Sequence, residues 1–159
     1  MTRVAITGHR GLPPQTLALV LHAMHAEVSK RAGADLVGVS CLADGPDSLF
    51  AQLVLGHGGR LIAIVPARAY RASLPADHHQ TYDDLLAAAS EVIELDRDDS
   101  DSRAHQAASL RMLDIADELL AVWDGRPARG YGGTADVVAA ARQRALPVTV
   151  VWPPGAERP

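Results

Sequence analysis

Residues 118–142 read ELLAVWDGRPARGYGGTADVVAAAR, and this stretch joins three patterns that together decide the fold. It begins with an apolar run typical of a buried strand, passes through a glycine-rich loop and ends in a run with helical spacing. Glycines at such a junction have two explanations. They can form a tight turn, or they can let backbone N–H groups approach an anion at the N-terminus of the helix.

The same alternation of short apolar runs and longer amphipathic runs extends along the whole chain. Strands are predicted at 3–7, 35–41, 60–66, 91–95, 118–123 and 147–152, and helices from Pro13 to Val28 and at 46–56, 79–89, 104–117 and 134–144. This pattern predicts an α/β fold, a doubly wound, mainly parallel six-stranded sheet that is Rossmann-like, with helices on both faces. The expected strand order is 3-2-1-4-5-6, and ligands of such sheets bind beyond the carboxyl ends of the strands.

Length and composition limit the kinds of protein that the chain can form. With 159 residues it has the size of one domain, which we place at residues 1–153, followed by a loose tail at 154–159. A net charge of −4 argues against a nucleic-acid partner. No apolar run is long enough for a membrane span, and Met1–Gly11 lacks a signal-peptide pattern, so we expect no membrane partner and a cytoplasmic location.

The glycine-rich loop gives the strongest indication of a binding site. Its glycines allow backbone donors to approach a ligand, and the threonine that follows can cap the helix or bind a ligand oxygen. The nearby Arg126 and Arg129 favour an anion. We therefore predict a phosphate-binding loop, with a turn that binds nothing as the alternative, formed by Gly130, Tyr131, Gly132, Gly133 and Thr134.

Two further loops follow the first and second predicted strands. In the first, TGHRG, we predict that Gly8, His9 and Arg10 bind phosphate or sugar, although a polar turn is an equal alternative. In the second, LADGPDS, carboxylates could accept hydrogen bonds from ribose hydroxyls, but acids are also favoured at the start of any helix. The candidate ligand-binding residues there are Asp44, Gly45, Asp47 and Ser48.

Several common kinds of cofactor-binding, metal-binding and catalytic site have no support in the sequence. Neither a G-x-G-x-x-G fingerprint nor a phosphate-binding loop ending in Gly-Lys is present. No metal site is predicted, because the acidic run 96–101 lacks the frame of a calcium loop. Cys41 is the single cysteine and no G-x-S-x-G segment exists, which leaves no support for a covalent nucleophile.

With these loops placed, the chain resembles the SLOG superfamily, the Rossmann-like group named after the Smf/DprA and "lonely guy" (LOG) proteins. The resemblance spans nearly the whole chain, and its overall pattern is closest to the YpsA-like branch. It depends on VAITGHRG (4–11), CLADGPDSLFA (41–51), ADELLAVWDG (116–125) and GYGGTADVV (130–138).

The resemblance implies a nucleotide or other phosphorylated ligand, bound across the loops after strands 1 and 5 with no required cofactor, in a sensor or binding module. LOG enzymes, by comparison, cleave the N-glycosidic bond of nucleoside 5′-monophosphates with a glutamate three residues past the motif threonine. Here that position is Val137, and the family's arginine position falls near Ala108. Asp136 and Arg111 are the nearest substitutes and the only candidates for catalysis in a phosphoribohydrolase-like enzyme. A third hypothesis is an oligomeric interaction module without ligand, since relatives commonly form homodimers.

Overall fold

The computed structural model describes residues 2–33 and 35–159; Met1 and Ala34, both within the predicted domain 1–153, lie outside the described residues. The predicted strands and helices are confirmed, and a short helix that the sequence did not predict follows the third strand. The strands are β1 (Thr2–Gly8), β2 (Leu36–Ser40), β3 (Arg60–Val65), β4 (Glu91–Glu94), β5 (Glu118–Val122) and β6 (Val148–Val150). The helices are α1 (Pro14–Arg31), α2 (Pro46–Gly56), α3 (Tyr70–Ser73), α4 (His79–Ala88), α5 (Ser102–Ile115) and α6 (Thr134–Gln143), with a 3₁₀ turn at Ala76–His78.

The six strands form one sheet in which every neighbouring pair is parallel, as predicted. The predicted order is wrong, because the observed order is β4-β3-β2-β1-β5-β6. β4 pairs with β3 at the edge of the sheet, and β5 takes the place beside β1 that was predicted for β4. The composition of the two strands explains this: β4 has a glutamate at each end and is mostly exposed, whereas β5 is almost wholly buried. Charged residues suit an edge, and apolar residues suit a strand covered on both faces.

Alternate residues of the strands face opposite layers of helices, which confirms helices on both faces. Val4 and Ile6 of β1 pack in a cluster with α1 and α2. Ala5, between them, belongs to a second cluster that contains residues of α5 and α6. This two-residue periodicity makes β1 the centre of a three-layer structure.

The segment after β6 is attached to α1, contrary to the prediction of a loose tail at 154–159. Thr16 Oγ1 donates a hydrogen bond to Glu157 O at 3.0 Å and accepts one from Glu157 N at 2.9 Å. Ala156 N also donates to Pro153 O at 3.1 Å, which closes a turn. The backbone polar groups of this segment are thus partly satisfied by the protein rather than by water, and that orders the segment.

In the part of the chain that the structure describes, no helix combines the length and the apolar character needed to cross a bilayer. Across the same residues, His, Cys, Asp and Glu side chains do not gather in any group of three or more that could hold a metal ion.

Candidate ligand-binding cleft at the carboxyl ends of the strands

A cleft of about 280 Å³ opens where β1 and β2 end and α6 begins. The winding of the sheet reverses between β1 and β5, and the cleft lies at this point, as expected for an open α/β sheet. Its lining comprises Ile6, Thr7, Gly8, His9, Arg10, Cys41, Ala43, Asp47, Pro66, Tyr70, His105, Ser109, Met112, Gly132, Gly133, Thr134 and Arg158.

The cleft brings together seven of the twelve residues predicted to bind a ligand, drawn from all three predicted loops. These seven are Gly8, His9, Arg10, Asp47, Gly132, Gly133 and Thr134. The other five lie outside the lining, and they are Asp44, Gly45, Ser48, Gly130 and Tyr131.

One side of the cleft, which we call the β1–β2 wall, consists of Gly8–Arg10 and Ala43–Asp47. Gly8 touches the first turn of α2 so closely that an added Cβ would lie 2.8 Å from Pro46 Cβ and 3.0 Å from Val122 Cβ. His9 N donates to Val122 O at 3.2 Å, which joins the wall to β5. A side chain at position 8 would therefore separate β1 from its neighbours.

His9 is buried at the base of this wall against Asp124. Its Nε2 lies 3.1 Å from Asp124 N and 3.2 Å from Asp124 Oδ1. Burial and the positive charge of Arg158 lower the pKa of His9, and Asp124 opposes them. A neutral ring accepts the hydrogen bond from Asp124 N, and a protonated ring would instead donate to the carboxylate. The protonation of His9 thus selects which group of Asp124 it binds.

Arg10 and the aspartates supply most of the charge of the β1–β2 wall. Arg10 Nε and Nη2 both donate to Asp44 Oδ1, at 2.9 and 2.6 Å. Asp44 therefore positions the guanidinium rather than lining the cleft itself. Burial raises the pKa of Asp47 to about 7, against the effects of a backbone hydrogen bond from Ala43 and the charge of Arg10. The one carboxyl group in the lining is accordingly often neutral near neutral pH.

The remaining predicted residues of this loop have structural contacts instead. Ser48 Oγ donates to Ala43 O at 2.7 Å and lies 3.2 Å from His78 Nε2, so its hydroxyl is used within the protein. Gly45 has a φ of +89°, which supports the turn before α2 and strains most other residues.

The other side of the cleft is formed by the end of the β5 loop, residues 123–133, and by the start of α6. The amides of this loop are less available to a ligand than the sequence suggested. Gly132 N donates to Asp136 Oδ2 at 2.9 Å, and Gly133 N donates to Gly130 O at 3.3 Å. The expectation that these glycine amides face a ligand is therefore wrong. The first-turn amides of Thr134 and Ala135 have no acceptor among the described residues, as is usual at a helix start.

The candidate catalytic pair is not assembled. Asp136 is hydrogen-bonded to the β5 loop, Arg111 is exposed on α5, and neither lines the cleft. Val137, at the position of the LOG glutamate, is buried in the core with 1% exposure. This side chain packs in the core and does not line the cleft.

Five polar residues of the lining were missed by the sequence analysis, namely Thr7, Tyr70, His105, Ser109 and Arg158. The rings of Tyr70 and His105 meet edge to face with centroids 5.8 Å apart. Burial raises the pKa of Tyr70, and burial together with the charge of Arg10 lowers that of His105, so both groups are neutral at pH 7. Tyr70 begins α3, in a stretch after β3 that has no recognisable sequence motif. Only the rule that ligands bind at the carboxyl ends of strands could have indicated this residue.

Searches for similar proteins identify solved structures only; no family model and no curated protein matches the chain. DNA processing protein A (DprA) from Streptococcus pneumoniae matches with a TM-score of 0.68 and 18% identity, over 94% of this chain and 50% of that one. DprA from Helicobacter pylori matches with a TM-score of 0.67 and 18% identity, over 94% of this chain and 64% of that one. The molybdenum cofactor binding protein from Rippkaea orientalis matches with a TM-score of 0.59 and 16% identity, over 94% of this chain and 75% of that one.

These likenesses establish the fold. The chain shares the Rossmann-like fold of these proteins, as the sequence predicted, whereas membership of the SLOG superfamily and of its YpsA-like branch remains a prediction. The chain spans about half the length of the pneumococcal DprA, 50% of it.

The comparisons also correct one expectation. The net negative charge predicted no nucleic-acid partner, and this exclusion is wrong, because the H. pylori protein with the same fold is described by its single-stranded DNA binding mode. Net charge reports the average over a surface, and a local group of arginines is enough to bind phosphates.

Proposed function

We propose that the chain binds a nucleotide or nucleotide-derived phosphorylated ligand in the cleft, as a sensor or binding module. The observation that supports this most directly is that two arginines, Arg10 and Arg158, line the same cleft as the N-terminus of α6, at the point where the sheet winding reverses. Guanidinium groups and helix N-termini are the two commonest ways in which proteins bind phosphate.

The charges of the lining support an anionic ligand. Apart from Asp47, whose pKa is raised to about 7, the lining has no carboxyl group, and it has two arginines. The free amides of Thr134 and Ala135 add the positive end of a ten-residue helix. The side chains of the lining therefore carry more positive than negative charge; Asp44 and Asp124, which pair with the two arginines, lie outside the lining.

The size of the cleft narrows the class of ligand. Small-molecule sites commonly measure about 300–1,000 Å³, and this one measures about 280 Å³. A mononucleotide or sugar phosphate fits this volume better than a dinucleotide. The apolar side chains of Ile6 and Met112 would contact the uncharged part of such a ligand.

A single-stranded nucleic acid is the second candidate, favoured by the match to the H. pylori protein. Its phosphates would be bound by the same groups as those of a nucleotide, but the strand would extend beyond the cleft over the surface. Hydrolysis of nucleoside monophosphates has less support, because the buried Val137 and the position of Asp136 leave no acid of the LOG type in the lining.

Isothermal titration calorimetry with inorganic phosphate, the nucleoside 5′-monophosphates and a 20-nucleotide oligothymidylate tests the proposal. We expect at least one monophosphate to bind, and Arg10→Gln to weaken it about tenfold, because a charge-assisted hydrogen bond contributes about 1.5–3 kcal/mol. Arg103→Gln, at an exposed position of α5 outside the lining, is the matched control. Binding of the oligonucleotide alone would favour the second candidate, and no binding by any probe would refute the proposal.

A further inference from the structure

The segment after β6 turns back toward α1 instead of leaving the domain. Gly155 has a φ of +89°, and a Cβ on it would lie 3.4 Å from Leu19 Cδ1. The turn that Ala156 N closes on Pro153 O directs the following residues toward the first turn of α1. This path brings residues 157 and 158 to the carboxyl end of the sheet.

Thr16 fixes the segment at Glu157. Its hydroxyl both donates to Glu157 O and accepts from Glu157 N, and the residue is only 2% exposed. Two hydrogen bonds to the backbone of one residue hold both the position and the orientation of that residue. The direction of the next side chain, Arg158, follows from this contact.

Arg158 has an anchored backbone and a guanidinium that is incompletely paired. Its side chain is 17% exposed and lines the cleft together with Arg10 and Thr134. It forms an ion pair with Asp124 in which Nη1 lies 3.7 Å from Oδ2, a distance longer than a hydrogen bond. A guanidinium has five N–H donors in a planar fork, so donors remain for a phosphate or carboxylate.

We infer that Arg158 is an anion-binding residue of the cleft, and that the contact between Thr16 and Glu157 positions it. This inference rests on the proposed function and assigns the anion contact to a residue outside the SLOG loop motifs. A bound anion would compete with Asp124 for the guanidinium. Arg158 also lines a second cavity of about 460 Å³, together with Pro13 and Trp152, so its movement would alter both cavities.

Titration calorimetry of the full chain with inorganic phosphate and the nucleoside 5′-monophosphates tests the inference. We expect Arg158→Gln to weaken the best-bound monophosphate about tenfold, and Arg158→Lys to weaken it less, because lysine keeps the charge but loses the fork. Arg103→Gln should bind as the unmodified chain does.

Thr16→Val tests the positioning role, because it removes both hydrogen bonds to Glu157 while keeping the shape of the side chain. We expect an affinity loss of about threefold in Thr16→Val, and no further loss when it is combined with Arg158→Gln, since two changes in one pathway are not additive. Additive losses would show that Thr16 acts elsewhere, which would overturn the positioning role.

The NMR titration of His9 provides a readout without ligand. Burial and the charge of Arg158 both hold the pKa of His9 down, so Arg158→Gln should raise this pKa, and Thr16→Val should raise it by a smaller amount. An unchanged His9 would overturn the assigned position of Arg158. If the unmodified chain binds a monophosphate and Arg158→Gln binds it equally well, the inference fails and the proposed function stands. If the unmodified chain binds no probe, both fail.

Discussion

The two sides of the cleft are held in place by contacts of opposite kinds. The β1–β2 wall is fixed by contacts between distant parts of the chain: Gly8 with Pro46, Arg10 with Asp44, and His9 with Asp124. Beyond Asp124, which also contacts His9 and Arg158, the β5 loop is held by local bonds. Its hydrogen bonds join Trp123 Nε1 to Arg126 O, Arg126 N to Asp124 Oδ1, Gly133 N to Gly130 O and Gly132 N to Asp136 Oδ2.

This difference assigns different properties to the two sides. A wall made of long-range contacts cannot change unless the sheet and α2 change with it, so its stability is that of the whole domain. A loop closed by local bonds can open with little effect on the rest. We therefore expect the β1–β2 wall to be a rigid surface for the ligand and the β5 loop to adjust to it. The following variants test this division.

The largest effect is expected from Gly8→Ala. The new methyl group would lie 2.8 Å from Pro46 Cβ, so β1 or α2 must shift, and such overpacking costs up to about 3 kcal/mol. Gly130→Ala is the control in the β5 loop, because no heavy atom lies within 4 Å of the added Cβ. Urea unfolding measures both variants. Equal stabilities would contradict the distinction between the two sides.

Asp47→Asn should stabilise the protein, by an amount that depends on pH. Burial raises the pKa of Asp47 to about 7 in the folded chain, above its value when unfolded, so folding takes up a proton. The stability contributed by this group is present below about pH 4 and is lost as the pH rises through about 7. Asn avoids this loss, and we expect a gain of roughly 2 kcal/mol at pH 8 and little at pH 4. Unfolding curves at both pH values check this; a gain independent of pH would exclude the buried carboxylate as its cause.

A smaller and local effect is expected from Gly132→Ala. Gly132 has a φ of +83°, and its Cβ would lie 3.0 Å from Ser102 O, so alanine should cost about 1–2 kcal/mol. Hydrogen exchange should show faster exchange in the β5 loop and unchanged exchange in β1 and β2. Faster exchange throughout the sheet would mean that the loop is part of the global folding unit.

The smallest effect on stability is expected from Asp136→Asn, which should change ligand binding instead. The carboxylate occupies Gly132 N and places a negative charge at the start of α6. Asn keeps an acceptor oxygen but removes the charge, so anion affinity should rise about two- to fivefold while stability changes by less than about 1 kcal/mol. Calorimetry with the best-bound monophosphate measures this. Reduced affinity would mean that Asp136 itself contacts the ligand.

The same contrast explains which features the sequence could predict. The strands and the helices follow from local patterns, and these predictions hold. The placement of β4 at the edge failed because it depends on which strands are buried, although the glutamates of EVIE were an available sign. Partners distant in sequence could not be predicted, so Arg158, whose neighbour Glu157 is held by Thr16, was assigned to a loose tail. Gly132 N was thought to be free although its partner, Asp136, is only four residues away.

The tight junction of Gly8 with Pro46 has a consequence for how this scaffold can acquire new specificities. Because the junction leaves no space for even one methyl group, enlarging the cleft on the side of the β1–β2 wall would require matched substitutions in β1 and α2 at once. Beyond Asp124, the opposite rim can gain or lose residues one at a time, since its hydrogen bonds are local. Diversification toward bulkier ligands should therefore proceed by substitutions in residues 125–133, with the β1–β2 wall left unaltered.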